Sequence, residues 1–139
     1  AIGMGWKREV DMVATAADMG MFALAYAFTP DEAREMAANG AHAIASHFGA
    51  TVGGASGAIT SLTLDEATSR SQEMFEAARV ENPDIILLSH GGPIEGPDEV
   101  RHMLANTLAQ GFIGGSAAER IPIEKAILSA TQQYKSISL

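Results

Sequence analysis

Apolar and polar positions along this chain switch repeatedly between a helical period and short continuous apolar runs. From Trp6 to Met19 the apolar residues Val10, Val13, Ala14 and Ala17 recur at helical spacing among Lys7, Arg8, Glu9, Asp11 and Asp18, and Gly20 closes the run. Residues 21–28 are then wholly apolar and aromatic-rich, the pattern of a strand buried on both faces. Thr29-Pro30-Asp31-Glu32 joins an N-cap, a first-turn proline and a capping-box glutamate, and predicts a helix that stops at Asn39-Gly40. Residues 41–46 read as a second strand. Thr63-Leu64-Asp65-Glu66 repeats the capping signal and opens a long helix that ends before Asn82-Pro83. Residues 84–89 (DIILLS) form the clearest strand. Pro97 starts a helix running to Gln110-Gly111, Phe112 and Ile113 make a last short strand, and a final helix runs from about Pro122 to Lys135.

Every expected strand is separated from the next by a helix, which implies parallel pairing through crossover connections. The fold class is therefore α/β, and two architectures fit: an open doubly wound sheet, or part of a closed barrel. The chain has 139 residues, whereas a complete (β/α)8 barrel needs ~250. The preferred reading is the C-terminal half of a (β/α)8 TIM barrel, with one domain over 1–139 that holds the last four strands and five helices. No linker or low-complexity tract divides it.

Composition narrows the chemistry. The chain is 47% hydrophobic and 19% charged, with a net charge of −8 and nine scattered Lys and Arg. Nucleic-acid backbones and anionic membranes need clustered cations, so neither is expected as a partner. A small anion in a local pocket remains compatible. The absence of cysteine removes disulfides, thiolate metal sites and a cysteine nucleophile. No membrane span or signal core is apparent, and a cytoplasmic location is expected.

In parallel α/β architectures ligands bind at the C-terminal ends of the strands. Tyr26 and Phe28 end the first strand. His47-Phe48-Gly49 ends the second and leads into a long loop with Thr51, Gly53 and Gly54. His90-Gly91-Gly92-Pro93 ends the third, and Gly114-Gly115-Ser116 the fourth. His47 and His90 are the candidate acid/base groups. Gly91, Gly92, Gly114, Gly115 and Ser116 are candidate phosphate contacts, because backbone N–H groups reach a phosphate only where no side chain intervenes. Ser116-Ala117-Ala118-Glu119 reads as a further capping box that starts a short helix aimed at the rim. Arg120 is the cation nearest these glycines and a candidate phosphate clamp. The 47–61 loop, with Gly49, Thr51, Gly53 and Gly54, is a candidate lid. Each assignment has a plainer alternative: glycines that only relieve steric conflict, a Ser116 that only caps, histidines satisfied by backbone, a structural Arg120, a merely connecting loop. His42 and His102 fall away from the rim. No carboxylate stands at ligand spacing from His47, so no metal ligand is assigned.

The strings Ser46-His47-Phe48-Gly49-Ala50-Thr51-Val52-Gly53-Gly54, Leu62-Thr63-Leu64-Asp65-Glu66-Ala67, Asn82-Pro83-Asp84-Ile85-Ile86, His90-Gly91-Gly92-Pro93-Ile94 and Glu119-Arg120-Ile121-Pro122-Ile123-Glu124 together resemble the phosphoenolpyruvate hydrolase-like TIM-barrel family. Its members are also labelled phosphonopyruvate hydrolases or TIM-barrel signal-transduction proteins, and the same domain is similar to the C-terminal part of a plant tobamovirus-resistance protein. The resemblance implies a barrel with further βα units before Gly5-Trp6. It implies a hydrolase acting on a small phosphorylated or phosphonylated carboxylic acid, with a divalent metal such as Mg2+ bound mainly by residues outside this segment. Open strand edges and an apolar inner face would also need cover, from the remaining half of the barrel or from a second copy. The alternative is a non-catalytic binding or signalling module that keeps the pocket.

Overall fold

The computed structural model describes residues 5–54, 57–59 and 62–137. Residues 55, 56, 60 and 61 of the expected lid loop, and residues 1–4, 138 and 139, lie outside them. The chain runs α1 (Trp6–Asp18), β1 (Leu24–Ala27), α2 (Pro30–Ala38), β2 (Ala43–His47), α3 (Leu64–Glu81), β3 (Ile86–His90), α4 (Pro97–Asn106), β4 (Gly111–Phe112), α5 (Ser116–Glu119) and α6 (Ile121–Lys135). The expected alternation is present throughout. Both upstream helix starts are capped at the expected threonine, although the Glu32 carboxylate accepts the Phe28 N–H at 2.8 Å and not the Thr29 N–H. Thr29 accepts the Glu32 N–H at 3.2 Å, and Thr63 and Glu66 form a reciprocal capping box. Helix α4 ends earlier than its sequence pattern suggests. Thr107 turns extended, and the Leu108 N–H donates to the Gln72 side chain at 2.9 Å, so the chain straightens into β4.

The four strands pair in parallel in the order β1-β2-β3-β4. Sequential order with right-handed crossovers returns every helix to the same face. A doubly wound sheet would reverse its order and cover both faces. The burial pattern agrees with one-sided coverage. On the helix-facing rows, Ala25 pairs with Ile44 and Ile44 with Leu87, and all three are buried. They pack with Met36, Met74, Phe75 and Ala78 from α2 and α3. On the opposite face Leu24, Tyr26 and Ile86 are exposed. The architecture is half of a TIM barrel, and this second face is the barrel's interior side.

That result corrects one expectation. Residues 21–28 were expected to be buried on both faces, but β1 alternates between exposed and buried positions. Helices supply cover on one side only. Strand β2 is the exception, because its inner-row residues Ala43 and Ala45 are small and lie in register between Leu24 and Ile86 and between Tyr26 and Leu88. Beyond the sheet, α6 carries exposed Ile123, Ile127, Leu128 and Tyr134.

One buried polar contact ties sheet to helix: the Ser46 and Ser71 hydroxyls lie 2.8 Å apart, both fully buried. Ser71→Ala would leave the Ser46 hydroxyl without its partner, at a cost of about 1–3 kcal/mol. Denaturant unfolding should show that loss, and the Ser46→Ala/Ser71→Ala pair should cost less than the sum of the single changes.

Candidate functional site

The register of β2 against β3 places His47 directly beside His90. Both positions share the face of Ala43, Ala45, Ile86 and Leu88, since side chains alternate along a strand. The two imidazoles therefore stand at the C-terminal mouth of the barrel's interior side. Their ring centroids are 4.8 Å apart, about the spacing between neighbouring strands. Tyr26 sits one layer below, opposite the small Ala45. Its ring lies edge-on to His47 at 4.8 Å and stacks on His90 at 4.9 Å. Phe28 closes the side of His47 at 5.0 Å.

Backbone partners give the two rings opposite roles. The Gly49 N–H donates to His47 Nδ1 at 2.8 Å, so that nitrogen carries a lone pair and the neutral ring holds its proton on Nε2. His90 Nδ1 lies 2.8 Å from the Ile113 carbonyl. A carbonyl only accepts, so this Nδ1 carries the proton and His90 Nε2 presents a lone pair. One ring thus offers a donor and its neighbour an acceptor. Burial pushes the His47 pKa down, and the adjacent His90 lowers it further.

A cleft of about 430 Å³ opens beside this pair, lined by Phe28, His47, Phe48, Gly49, Leu62, Glu66 and Arg70. Glu66 is held by the capping box, where its Oε2 accepts the Thr63 N–H and the Thr63 hydroxyl, each at 2.8 Å. Its pKa is lowered first by the Thr63 backbone bond, and Arg70 adds to the effect. Sequence reading missed Arg70. The available signal was its i+4 spacing from the capping-box glutamate, which puts both on one helix face at the rim.

Several predicted contacts take other roles. Arg120 was expected as a phosphate clamp, but its guanidinium donates to the Gly53 carbonyl at 2.9 Å and the Thr51 carbonyl at 3.4 Å and pairs with Glu124 at 3.3 Å. It fastens the 51–54 loop to the start of α6. Gly53 and Gly54 leave the room that Glu95, Arg120 and Glu124 fill. Gly91 and Gly92 both have positive φ. A Cβ on Gly91 would stand 2.5 Å from the Gly49 carbonyl oxygen, and one on Gly92 would stand 2.6 Å from the Phe48 Cβ. Gly92 also spends its N–H on the Gly49 carbonyl at 3.1 Å, so its amide does not face a ligand. These two glycines let the second and third rim loops touch.

The turn after β4 is different. Gly115, not Ser116, is the N-cap of α5, and no side chain caps it, so the expected Ser116–Glu119 capping box does not form. A Cβ on Gly114 would meet the Phe112 ring at 3.3 Å, whereas Gly115 faces open space. Of the other histidines, His42 Nδ1 accepts the Ala23 N–H at 3.1 Å at the far end of β2. His102 lies 3.6 Å from Asp65. Neither lines the cleft.

A parallel half-barrel with its imidazoles gathered at the C-terminal strand ends has the fold of a TIM-barrel segment. Residues 1–137 match the family described as phosphoenolpyruvate hydrolase-like, and the chain belongs to that family. It is 47% identical over 138 residues to the ToMV susceptible protein tm-1(GCR26) of Solanum lycopersicum, covering 99% of this chain and 18% of that protein. It is 35% identical over 135 residues to y4pA of Sinorhizobium fredii (strain NBRC 101917 / NGR234), a protein provisionally named a transcriptional regulatory protein, covering 97% of this chain and 22% of that one. The chain thus spans about a fifth of the length of these curated relatives. Among solved structures, a nitroalkane oxidase from Streptomyces ansochromogenes, itself a TIM-barrel protein, aligns with a TM-score of 0.50 and 25% identity over 78% of this chain and 30% of that one. No helix among the described residues is long and apolar enough to cross a membrane.

The lowered His47 pKa has a consequence for stability. A proton binds His47 less well in the folded chain than in the unfolded chain. The stability associated with the neutral ring is therefore fully present above ~6.5 and is lost as pH falls through the lower folded value. Thermal unfolding of the wild type should show a falling midpoint between about pH 7.5 and about pH 5.5. His47→Asn keeps an acceptor for the Gly49 N–H and removes the titration, so its midpoint should fall less over the same interval.

Proposed function

We propose that this chain is part of a phosphoenolpyruvate hydrolase-like enzyme that binds a small phosphorylated or phosphonylated carboxylic acid at the barrel rim. The observation that carries the reading is the His47–His90 pair, in which one ring presents an N–H and the other a lone pair at the mouth of a cleft. Hydrolysis of an enol phosphate uses both. His90 Nε2 takes a proton from the attacking water as its oxygen bonds to phosphorus. The phosphorus–enol oxygen bond breaks, its electron pair stays on the departing oxygen, and His47 Nε2–H hydrogen-bonds to that developing enolate while keeping its proton. The Gly114-Gly115-Ser116 turn holds the phosphoryl group. It follows directly on Ile113, whose carbonyl fixes His90, and Gly115 leaves space there. The described residues contain no group of three or more His, Asp or Glu suited to a metal; a divalent ion for this reaction would draw its ligands mainly from outside the segment.

A second reading is supported by a different observation. Both histidines are oriented by backbone groups, and among the described residues no carboxylate completes a triad with either. Two relatives also bear names that describe virus susceptibility and regulation. On this reading the domain binds a ligand without turning it over. Phosphate release from phosphoenolpyruvate or phosphonopyruvate distinguishes the two. In an active protein His90→Asn, which keeps a donor for the Ile113 carbonyl, should lower turnover by ~10²-fold or more. Binding with no release by the wild type would support the module.

The exposed inner sheet face and the apolar residues of α6 also call for cover. We propose that the rest of a barrel, or a second copy of this chain, supplies it, since open parallel edges recruit other strands and each Å² of apolar surface left in water forfeits ~25 cal/mol. Sedimentation equilibrium of the isolated chain should give species heavier than 14.5 kDa. A soluble monomer at high concentration would refute this.

A further inference from the structure

The cleft beside His47 contains a cation that the proposed reaction leaves unused. Arg70 stands on α3 in its second turn, one helical turn beyond Glu66, and both line the cleft. Among the described residues it has no hydrogen bond and no ion pair within 4 Å. Its acidic neighbour Glu66 spends Oε2 on two bonds from Thr63 and feels Arg70 as a nearby charge without a direct contact. Phe28 and Phe48 supply apolar walls, and His47 adds the ring nitrogen that Gly49 does not occupy. A volume of about 430 Å³ lies within the ~300–1,000 Å³ of small-molecule sites.

The donors available decide what this space can hold. A guanidinium is a planar fork that matches the two oxygens of a carboxylate. One such fork suits a singly charged, planar group. A phosphoryl dianion calls for more donors, and two of the amides beside the cleft are already committed. The Gly49 N–H goes to His47 and the Gly92 N–H to the Gly49 carbonyl. The geometry points to a carboxylate subsite in which Arg70 grips the acid group of the ligand beside His47, whose Nε2–H stays with the departing oxygen, on the β1–β2 side of the rim. This inference rests on the reading that the rim binds a phosphorylated carboxylic acid, and it assigns the two ends of that ligand to opposite sides of the histidine pair. The carboxylate lies toward α3 and the phosphoryl toward β4. Arg70 is then the residue that selects for an enol phosphate bearing a carboxylate over one without it.

Binding of two probes to the full chain tests this. Pyruvate carries the carboxylate alone, and inorganic phosphate carries the other end. Calorimetry gives the affinities, and the His47 ring signals in ¹H–¹⁵N spectra report occupancy of the cleft. Arg70 is exposed, so Arg70→Gln should fold as the wild type does. The expected result is a loss of about tenfold or more in pyruvate affinity for Arg70→Gln, a smaller loss for Arg70→Lys, and phosphate affinity unchanged within about twofold. Three outcomes would overturn it: no pyruvate binding by the wild type, equal pyruvate affinity in Arg70→Gln, or parallel loss of both probes. Pyruvate binding through Arg70 without any hydrolysis would retain the subsite and reject the reaction. Hydrolysis indifferent to Arg70 would do the reverse.

Discussion

The in-register pairing of β2 with β3 is the constraint on which the rest of this molecule depends. It brings His47 and His90 to the same level on the same face and sets their separation at the strand spacing. A slip of one residue would turn one imidazole toward the helices. The register is held from beneath, where the row of Ile44 and Leu87 is buried against α2 and α3. One row nearer the rim, Ser46 is bonded to α3. Site geometry here is a product of core packing on the opposite side of the sheet.

The rim loops form a second layer of order. The chain after β2 and the chain after β3 touch through backbone, with Gly92 donating to Gly49 and Val52 donating to Gly92. Arg120 then gathers the Thr51 and Gly53 carbonyls from α6's side. A guanidinium committed to two carbonyls and a carboxylate is a structural tie, and the acidic chain has few cations to spare. That leaves Arg70 as the cation lining the cleft, and the electrostatic character of the site rests on a residue of α3.

Much of this is legible in the sequence alone. The period switches gave the element order. The capping strings at Thr29 and Thr63 marked helix starts, and His47 and His90 were recognisable as rim residues because each follows an apolar run. What escaped depended on information that no local pattern carries. Whether β1 is covered on one face or two depends on where the helices lie, and an apolar run looks the same either way. Arg120 follows directly on the glycine-rich turn and short helix in sequence, yet its side chain reaches back almost seventy residues to Gly53. Gly92 was read as an amide donor because glycine permits that. It also permits close approach of a second loop, and here the second use won. Ser116 carries the residue pattern of a cap, but the helix begins one residue earlier, at Gly115.

The manner in which the two imidazoles are fixed bears on how the site tolerates change. Each is oriented by a main-chain group, the Gly49 N–H for one and the Ile113 carbonyl for the other. No neighbouring side chain has to be kept to preserve the two tautomers. Residues 48, 49 and 113 are constrained instead in number and path, because an inserted or deleted residue would move the N–H or the carbonyl away from its ring. Descendants of this sequence can therefore exchange side chains around the pair widely while holding these loop lengths fixed.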